Sequence, residues 1–439
     1  MGLTPKQAHA FLDSRGFGIT PGLARIEALT RLLSEPQLNF LTIHLAGTNG
    51  KTSTARILTT ILAGHGLSTG LYTSPHLHDV RERFVLAGWD DGPVWDIIGE
   101  QEFADTLSYL LPFIEMVEND LGEPLTYFEL TTAIAFEWMS ERSVAAGVIE
   151  TGLGGRWDAT NLVRSSVSVL TPVDVDHSAY LGTTPQANGA EKVDIIKVGS
   201  TVVSAAQTPE VMELLTARTT KVGAKSLVLG TDFHIASNET AVGGRAVTLK
   251  TGRATYEDLF LPLHGAHQGV NLALAVAAAE AFLDKDLDYE LLSTSLLSVS
   301  SPGRLEVVGR QPLIVLDGAH NPHAALALRN TLSSDFLFKN LTVVLSIFED
   351  KDVKGVLDEL VPIADRVILT RGNNPRFASP EALRDLAPVV PGHDAPELVP
   401  TMEDAIDRAR SISDEEDMIL VTGSLHGVGD ARGYLLGTA

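Results

Sequence analysis

The sequence predicts an α/β protein in two parts. Residues 1–299 form a domain with a mainly parallel sheet and a small attached β region, and residues 300–439 form a second, Rossmann-like α/β domain. Three observations predict it. A strand-length apolar run, Leu38 to Ala46, passes directly into a Gly-rich turn and a helix-like stretch. Short β-branched runs alternate with amphipathic stretches, as βαβ units require. Near Ser300 the chain reaches Ser-Ser-Pro-Gly, a turn signal, and the alternation then restarts. A length of 439 residues suits a chain of more than one domain.

The elements follow in order. Thr52 to Gly64 carries apolar residues at helical spacing, and Gly70-Leu71-Tyr72 ends another strand. Pro93 to Leu121 reads as one long amphipathic helix, with Pro112 as the point where it would break. Thr126 to Met139 is a second helix. Ala145 to Ile149 and Val167 to Leu170 are β-branched runs suited to buried strands. Val198 to Phe260 changes character. Its short β-prone runs (Thr201 to Val203, Ser226 to Leu229, Ala246 to Leu249) read as smaller strands and hairpins attached to the first domain. His267 to Leu283 is Ala-rich and helix-prone. Beyond Ser300, strands are expected at Leu313 to Leu316, Leu341 to Leu345, Arg366 to Thr370 and Met418 to Thr422. Helices between them include Pro322 to Leu332 and Thr401 to Ile412. The sequence shows no internal repeat, heptad run or low-complexity tract.

Composition narrows the chemistry. The net charge is -23, from 33 Lys+Arg against 56 Asp+Glu, and so acidic a surface argues against non-specific nucleic-acid or membrane binding. A local basic pocket for an anionic small molecule remains compatible with it. The absence of cysteine rules out disulfides, thiolate metal sites and a Cys nucleophile. Met1 to Thr20 mixes Lys6, His9, Asp13 and Arg15 with apolar residues and has no signal-peptide core. No stretch approaches the roughly 20 apolar residues of a membrane span. The expectation is a soluble, cytoplasmic, monomeric enzyme with small-molecule partners.

The strongest single signal is Gly47-Thr48-Asn49-Gly50-Lys51-Thr52-Ser53 between a strand and a helix. Glycines let backbone N–H groups turn toward phosphate oxygens, and the helix N-terminus adds partial positive charge. Lys51 can reach the β- and γ-phosphates, and Thr52 can ligate Mg²⁺. The general pattern wants a Gly where this chain has Leu45, so the loop is a variant. It makes residues 1–299 a P-loop ATP-binding domain.

Three further segments sit where strands end: Thr73-Ser74-Pro75-His76-Leu77, Val148 to Arg156, and Asp174-Val175-Asp176-His177. Ligands in open parallel sheets collect beyond the carboxyl ends of strands, which places all three beside the phosphate loop. Alone, a strand-end Glu is often solvated, a His after Asp is often a turn residue, and Ser-Pro is an ordinary turn pair. Together, Ser74, Glu150 and His177 offer a hydroxyl, a carboxylate and an imidazole to one divalent ion, although an imidazole is less common around Mg²⁺.

At these residues the sequence resembles the folylpolyglutamate synthase family, which includes bifunctional dihydrofolate synthases and belongs to the Mur ligase superfamily. The likeness is carried by Ala46 to Lys51, Thr73 to Leu77 and Glu150 to Asn161. It continues through Asp176-His177 with Leu181-Gly182, Glu191 to Lys197, His267 to Asn271, Pro302-Gly303-Arg304, Asp317 to Pro322 and Thr422 to Leu425, in the family's order. The resemblance implies that Ser74, Glu150 and His177 are Mg²⁺ ligands. It implies that Lys192 is carbamylated and helps hold a second Mg²⁺. It gives ATP contacts to Asn271 and Arg304, and gives Asp317 and His320 to the site from the second domain. It places Ser74, Pro75 and His76 against a folate-type acceptor, together with Arg83 in the loop Arg81-Glu82-Arg83-Phe84, where either arginine could meet a folate carboxylate. The family's Lys-Ala-Gly-Ile is here Lys192-Val193-Asp194-Ile195, so Asp194 stands where the family has Gly.

The implied activity joins L-glutamate to a folate-type carboxylate, dihydropteroate or a reduced folate, through an acyl phosphate, with ATP and two Mg²⁺ ions. Lys51, Glu150, His177 and Lys192 would carry the chemistry. Two alternatives stay open at this point: a Mur-type amino-acid ligase acting on another carboxylate, and a P-loop nucleotide switch without ligase chemistry. A UDP-sugar acceptor would need a domain ahead of the loop, and 46 residues precede Gly47.

Overall fold

The computed structural model describes residues 2–437 except 17, 19, 21, 91 and 177. Strands β1 (Leu41–Ala46), β2 (Thr69–Tyr72), β3 (Phe84–Trp89), β4 (Pro93–Ile97), β5 (Ala146–Glu150), β6 (Val167–Leu170), β7 (Thr201–Ser204) and β8 (Lys225–Val228) form one sheet in the order β4-β3-β2-β5-β1-β6-β7-β8. The pairings from β2 across to β8 are parallel, and β3 and β4 add antiparallel edge strands. Interior strands such as β5 and β6 are buried on both faces, which suits their β-branched composition.

Three expectations are corrected here. Pro93 opens an edge strand rather than a helix, and the helix begins only at Glu100. An edge strand tolerates the missing N–H of a proline. Pro112 lies inside the helix Glu100–Leu121 without ending it. The runs at Thr201 and Ser226 are not a satellite β region. They are β7 and β8 of the main sheet, joined by a helix, Pro209–Val222. Val211, Leu215 and Thr219 form that helix's buried stripe at four-residue spacing. The small β region is confined to β9 (His234–Ala241), β10 (Gly244–Lys250) and β11 (Thr255–Leu261), an antiparallel sheet.

The second part builds its own sheet from β12 (Glu306–Arg310), β13 (Leu313–Asp317), β14 (Leu341–Leu345), β15 (Arg366–Leu369), β16 (Glu397–Leu398) and β17 (Met418–Thr422). Their order is β12-β13-β17-β14-β15-β16, parallel except for β12. The two parts touch through long-range pairs. Arg245 of β10 meets Asp335, at the end of the helix Pro322–Asp335, at 3.0 Å, with both side chains buried. At the other end of that helix, Asn321 donates to Asn49 Oδ1 at 3.2 Å. Among the described residues no helix is long and apolar enough to cross a membrane.

Candidate active site

Register explains why distant segments meet. Leu45 pairs with Glu150, and Ala46 pairs with Leu170, so β1, β5 and β6 finish at one edge of the sheet. β1 ends in the predicted loop. Gly47 (φ 152°) and Gly50 (φ 86°) take left-handed backbone, and a Cβ on either would collide with Thr171 or Asn271 respectively. The helix Lys51–Gly64 starts at once. Thr48 is tied to Asp174, its Oγ1 donating to the Asp174 carbonyl at 2.7 Å. Lys51 Nζ donates to the loop's own carbonyls, Gly47 O at 3.0 Å and Thr48 O at 3.3 Å. Ser53 lies deeper, its Oγ 3.1 Å from Ser301 Oγ in the segment between the two parts.

Glu150 is 1% exposed. Thr52 Oγ1 donates to both its oxygens at 3.0 Å, and the Ser74 N–H donates to Oε2 at 3.3 Å. Burial pushes the carboxyl above its usual range, against the pull of Lys51 and the Thr52 hydrogen bond. A buried carboxylate beside the Thr52 hydroxyl and next to Ser74 is a hard-oxygen set, and it fits Mg²⁺. His177, the predicted imidazole ligand, lies outside the described residues.

Lys192 is 4% exposed. Burial, then the nearby charge of Lys51, lowers its amine to about 7, against smaller opposing effects of Asp176, Asp158 and Glu191. On the other side of the loop, Asn271 Oδ1 accepts from Thr54 Oγ1 at 3.3 Å, in the helix His267–Leu283. Arg304 and Asp317 face each other electrostatically, and burial holds the guanidinium below its usual range and the carboxyl above its own. Asp317 accepts from the N–H groups of Leu305 and Ala319, both at 2.9 Å. His320 Nε2 lies 3.5 Å from Asp176 Oδ2, so the second part reaches the segment just before His177.

Next to this site lies a cavity of about 560 Å³ between the two parts. From the first part Ser74, Pro75, Arg83, Tyr127, Phe128 and Trp157 line it; from the second, His320, Phe348, Lys351, Arg376, Ser424 and His426 do. Arg83 Nε donates to His76 Nδ1 at 3.0 Å, and its guanidinium lies 5.5 Å from the Tyr127 ring centre. Burial, then Arg83 and His426, lowers His76 to about 3, so its ring is neutral and can accept that bond. The cavity offers flat rings for a heterocycle and cations for carboxylates.

Comparison with known proteins identifies the family and the fold. Residues 303–425 match the family model described as Mur ligase, glutamate ligase domain. The chain is 36% identical to the dihydrofolate synthase/folylpolyglutamate synthase of Mycobacterium tuberculosis, covering 97% of this chain and 93% of that protein. This chain belongs to the dihydrofolate synthase/folylpolyglutamate synthase family. The crystal structure of the Mycobacterium tuberculosis folylpolyglutamate synthase complexed with ADP superposes with a TM-score of 0.93, at 36% identity and covering 98% of each chain. That of E. coli FolC in complex with DHPP and ADP does so at 0.87, with 26% identity and 99% and 98% of the two chains covered.

Within this family frame the two-part α/β architecture expected from sequence is observed. Glu150 lies near Lys51, Thr52, Ser74 and Arg304, and Lys192 lies near Lys51. Ser74, Pro75, Arg83 and His320 line the cavity, His76 reaches it only through Arg83, and Ser53 faces Ser301 instead. The sequence reading missed much of the cavity wall: Phe128, Trp157, Phe348, Lys351, Arg376 and His426. Trp157 was within reach, since it lies inside the Glu150 to Asn161 motif. Arg376 and Lys351 give no local signal.

Proposed function

We propose that this chain is an ATP-dependent ligase that joins L-glutamate to the carboxylate of a folate-type acceptor, dihydropteroate, a reduced folate or both. The acceptor carboxylate is activated as an acyl phosphate, and ADP and phosphate are released. One observation carries the reading: Ser74 lines the cavity while its N–H meets Glu150, which in turn accepts from Thr52 of the phosphate loop. An acid bound in the cavity therefore ends where a γ-phosphate would sit.

In this reading the Gly47–Thr52 turn and Lys51 bind the triphosphate, while Asn271, Arg304, Asp317 and His320 complete the nucleotide site. Thr52, Ser74 and Glu150 would hold one Mg²⁺, with His177 and Lys192 near a second. The ions, when bound, neutralise charge on phosphate oxygens. Phosphoryl transfer needs little covalent help from protein, so positioning and cationic clamping carry it. Lys192 is inward-facing and neutral above about pH 7, the form of an amine that adds CO₂, which supports its proposed carbamylation.

Arg83, with His76 and Pro75, stands against the acceptor. Lys351, Arg376 and the N-terminus of the helix Leu425–Leu436 face the incoming glutamate's carboxylates from the other wall. Its amine attacks the acyl phosphate, a tetrahedral intermediate forms, and collapse leaves the amide and phosphate. Walls from both parts keep water from the acyl phosphate.

The division at residues 299/300 remains our proposal. It is supported by Val299 packing in the first core and Leu305 in a core of the second part. ATP, folates and glutamate are intracellular metabolites, which supports a cytoplasmic site.

Mass spectrometry after incubation with ATP, Mg²⁺, L-glutamate and each acceptor alone tests the reading. A product heavier by one glutamyl residue is expected with at least one acceptor. ADP release without any such product would overturn it.

A further inference from the structure

The segment 191–197 faces two ways. Inward, Lys192 is buried near Lys51, Asp158 and Asp176. Outward, the same segment grips the loop 152–161 that walls the cavity, at three points. The Glu191 carbonyl accepts from the Arg156 N–H at 3.0 Å. The Asp194 carboxylate accepts from Arg156 Nε. Lys197 Nζ donates to Asn161, to its carbonyl at 2.8 Å and to Oδ1 at 2.7 Å.

Asp194 is itself held from behind. Arg218 Nη1 lies 3.0 Å from its Oδ1, and Arg218 is anchored in turn, donating from Nη2 and Nε to the Ile196 carbonyl at 2.9 and 3.2 Å. The loop comes very close to this segment. A Cβ on Gly155 would lie 2.7 Å from the Glu191 carbonyl oxygen and 3.1 Å from Lys192 Cα. Trp157, next to Arg156, is 54% exposed and lines the cavity, as do Gly152, Leu153 and Gly154. An isolated exposed ion pair contributes little, but a carboxylate fixed between two guanidiniums is a network with one geometry.

We infer that Asp194 is a positioning residue for the acceptor: through Arg156 it fixes the loop that stands Trp157 over the cavity, and so sets the affinity for the acceptor's flat ring system. The inference rests on the acceptor site proposed above. Asp194 does not line the cavity. It acts only through Arg156, and an indole face offers the stacking surface a planar heterocycle takes.

Steady-state kinetics of the full chain, varying acceptor, ATP and glutamate separately, test this. Asp194→Asn is expected to raise the acceptor KM roughly fivefold, the scale of one ion-pair network, with kcat and the KM for ATP within about twofold. Asp194→Glu keeps the charge and is expected to restore most of the acceptor affinity. Arg156→Gln is expected to give the same shift, and the double variant no more than either single one. Thermal melting identifies any variant that fails to fold, and the remaining variants then carry the test. An unchanged acceptor KM in Asp194→Asn, an equal rise in the KM for ATP, or additive effects in the double variant would overturn the role of Asp194 alone. A wild-type chain that attaches glutamate to no folate acceptor would overturn the proposed function and this inference with it.

Discussion

Thr52 Oγ1 lies 3.0 Å from both carboxylate oxygens of Glu150, a residue 98 positions further along the chain. The phosphate-loop helix and β5 are thereby joined at the point where the cavity reaches the nucleotide site. In the proposed reaction these two groups hold the phosphate-bound cation.

Glu150→Ala removes the buried carboxylate from that pair. ADP formation is expected to fall by about 100-fold or more, the scale seen when a group that stabilises transition-state charge is lost. Lys51→Ala is expected to do the same. Coupled-enzyme measurement of ADP release checks both. Near-normal turnover in Glu150→Ala would mean that the metal site is elsewhere.

Gly50→Ala forces a Cβ into a left-handed position beside the Asn271 side chain. We expect a chain that folds but binds ATP at least about tenfold more weakly, because the loop N–H groups can no longer face the phosphates. Calorimetric titration with a non-hydrolysable ATP analogue measures this directly.

Lys192 gives a pH prediction. Its amine is lowered from 10.5 to about 7 in the folded protein, chiefly by burial. Between those values the unfolded chain binds more protons than the folded one, so stability rises with pH across that window. The penalty of the buried charge is complete below about pH 7 and is relieved toward pH 10.5. In CO₂-depleted buffer, where the amine is free of carbamate, the Tm of Lys192→Met should therefore exceed that of the wild type most at pH 6 and progressively less toward pH 9. A gap that does not change with pH would contradict the assignment.

Arg25 is buried against Glu129, with Nε 3.1 Å from Oε2, and its Nη2 donates to the Thr20 carbonyl at 3.0 Å. Glu129 also completes the capping box of the helix Tyr127–Glu141. Arg25→Met strands that carboxylate and should cost about 3–5 kcal/mol in urea unfolding. Arg25→Met combined with Glu129→Gln should recover part of it.

Much of this was legible in the sequence because its signals are local. The Gly47–Thr52 loop sits between a strand and a helix whose periodicities differ within a few residues, so both were found. Ser74 and Glu150 could be placed at strand ends, and strand ends in such a sheet share an edge. What failed was context. Pro93 to Ile97 alternates weakly, and only its antiparallel partner β3 makes it a strand. β7 and β8 looked like a satellite region because four-residue runs do not tell which sheet they join. The second wall of the cavity was not legible. Lys351 meets Asp176 across 175 positions, and Arg376 stacks on Phe348 where neither neighbouring sequence is distinctive. The Asp194 staple was visible only as an unexpected residue. Its meaning needed the positions of Arg156 and Arg218.

The central claim is that the terminal phosphoryl group of ATP passes to the bound acid before glutamate arrives at the carbonyl. An acceptor whose reacting carboxylate carries ¹⁸O tests it most directly. If an acyl phosphate forms, amide formation leaves one labelled oxygen in the released phosphate, and mass spectrometry of that phosphate should find it in step with product. Product formed with unlabelled phosphate would contradict the account.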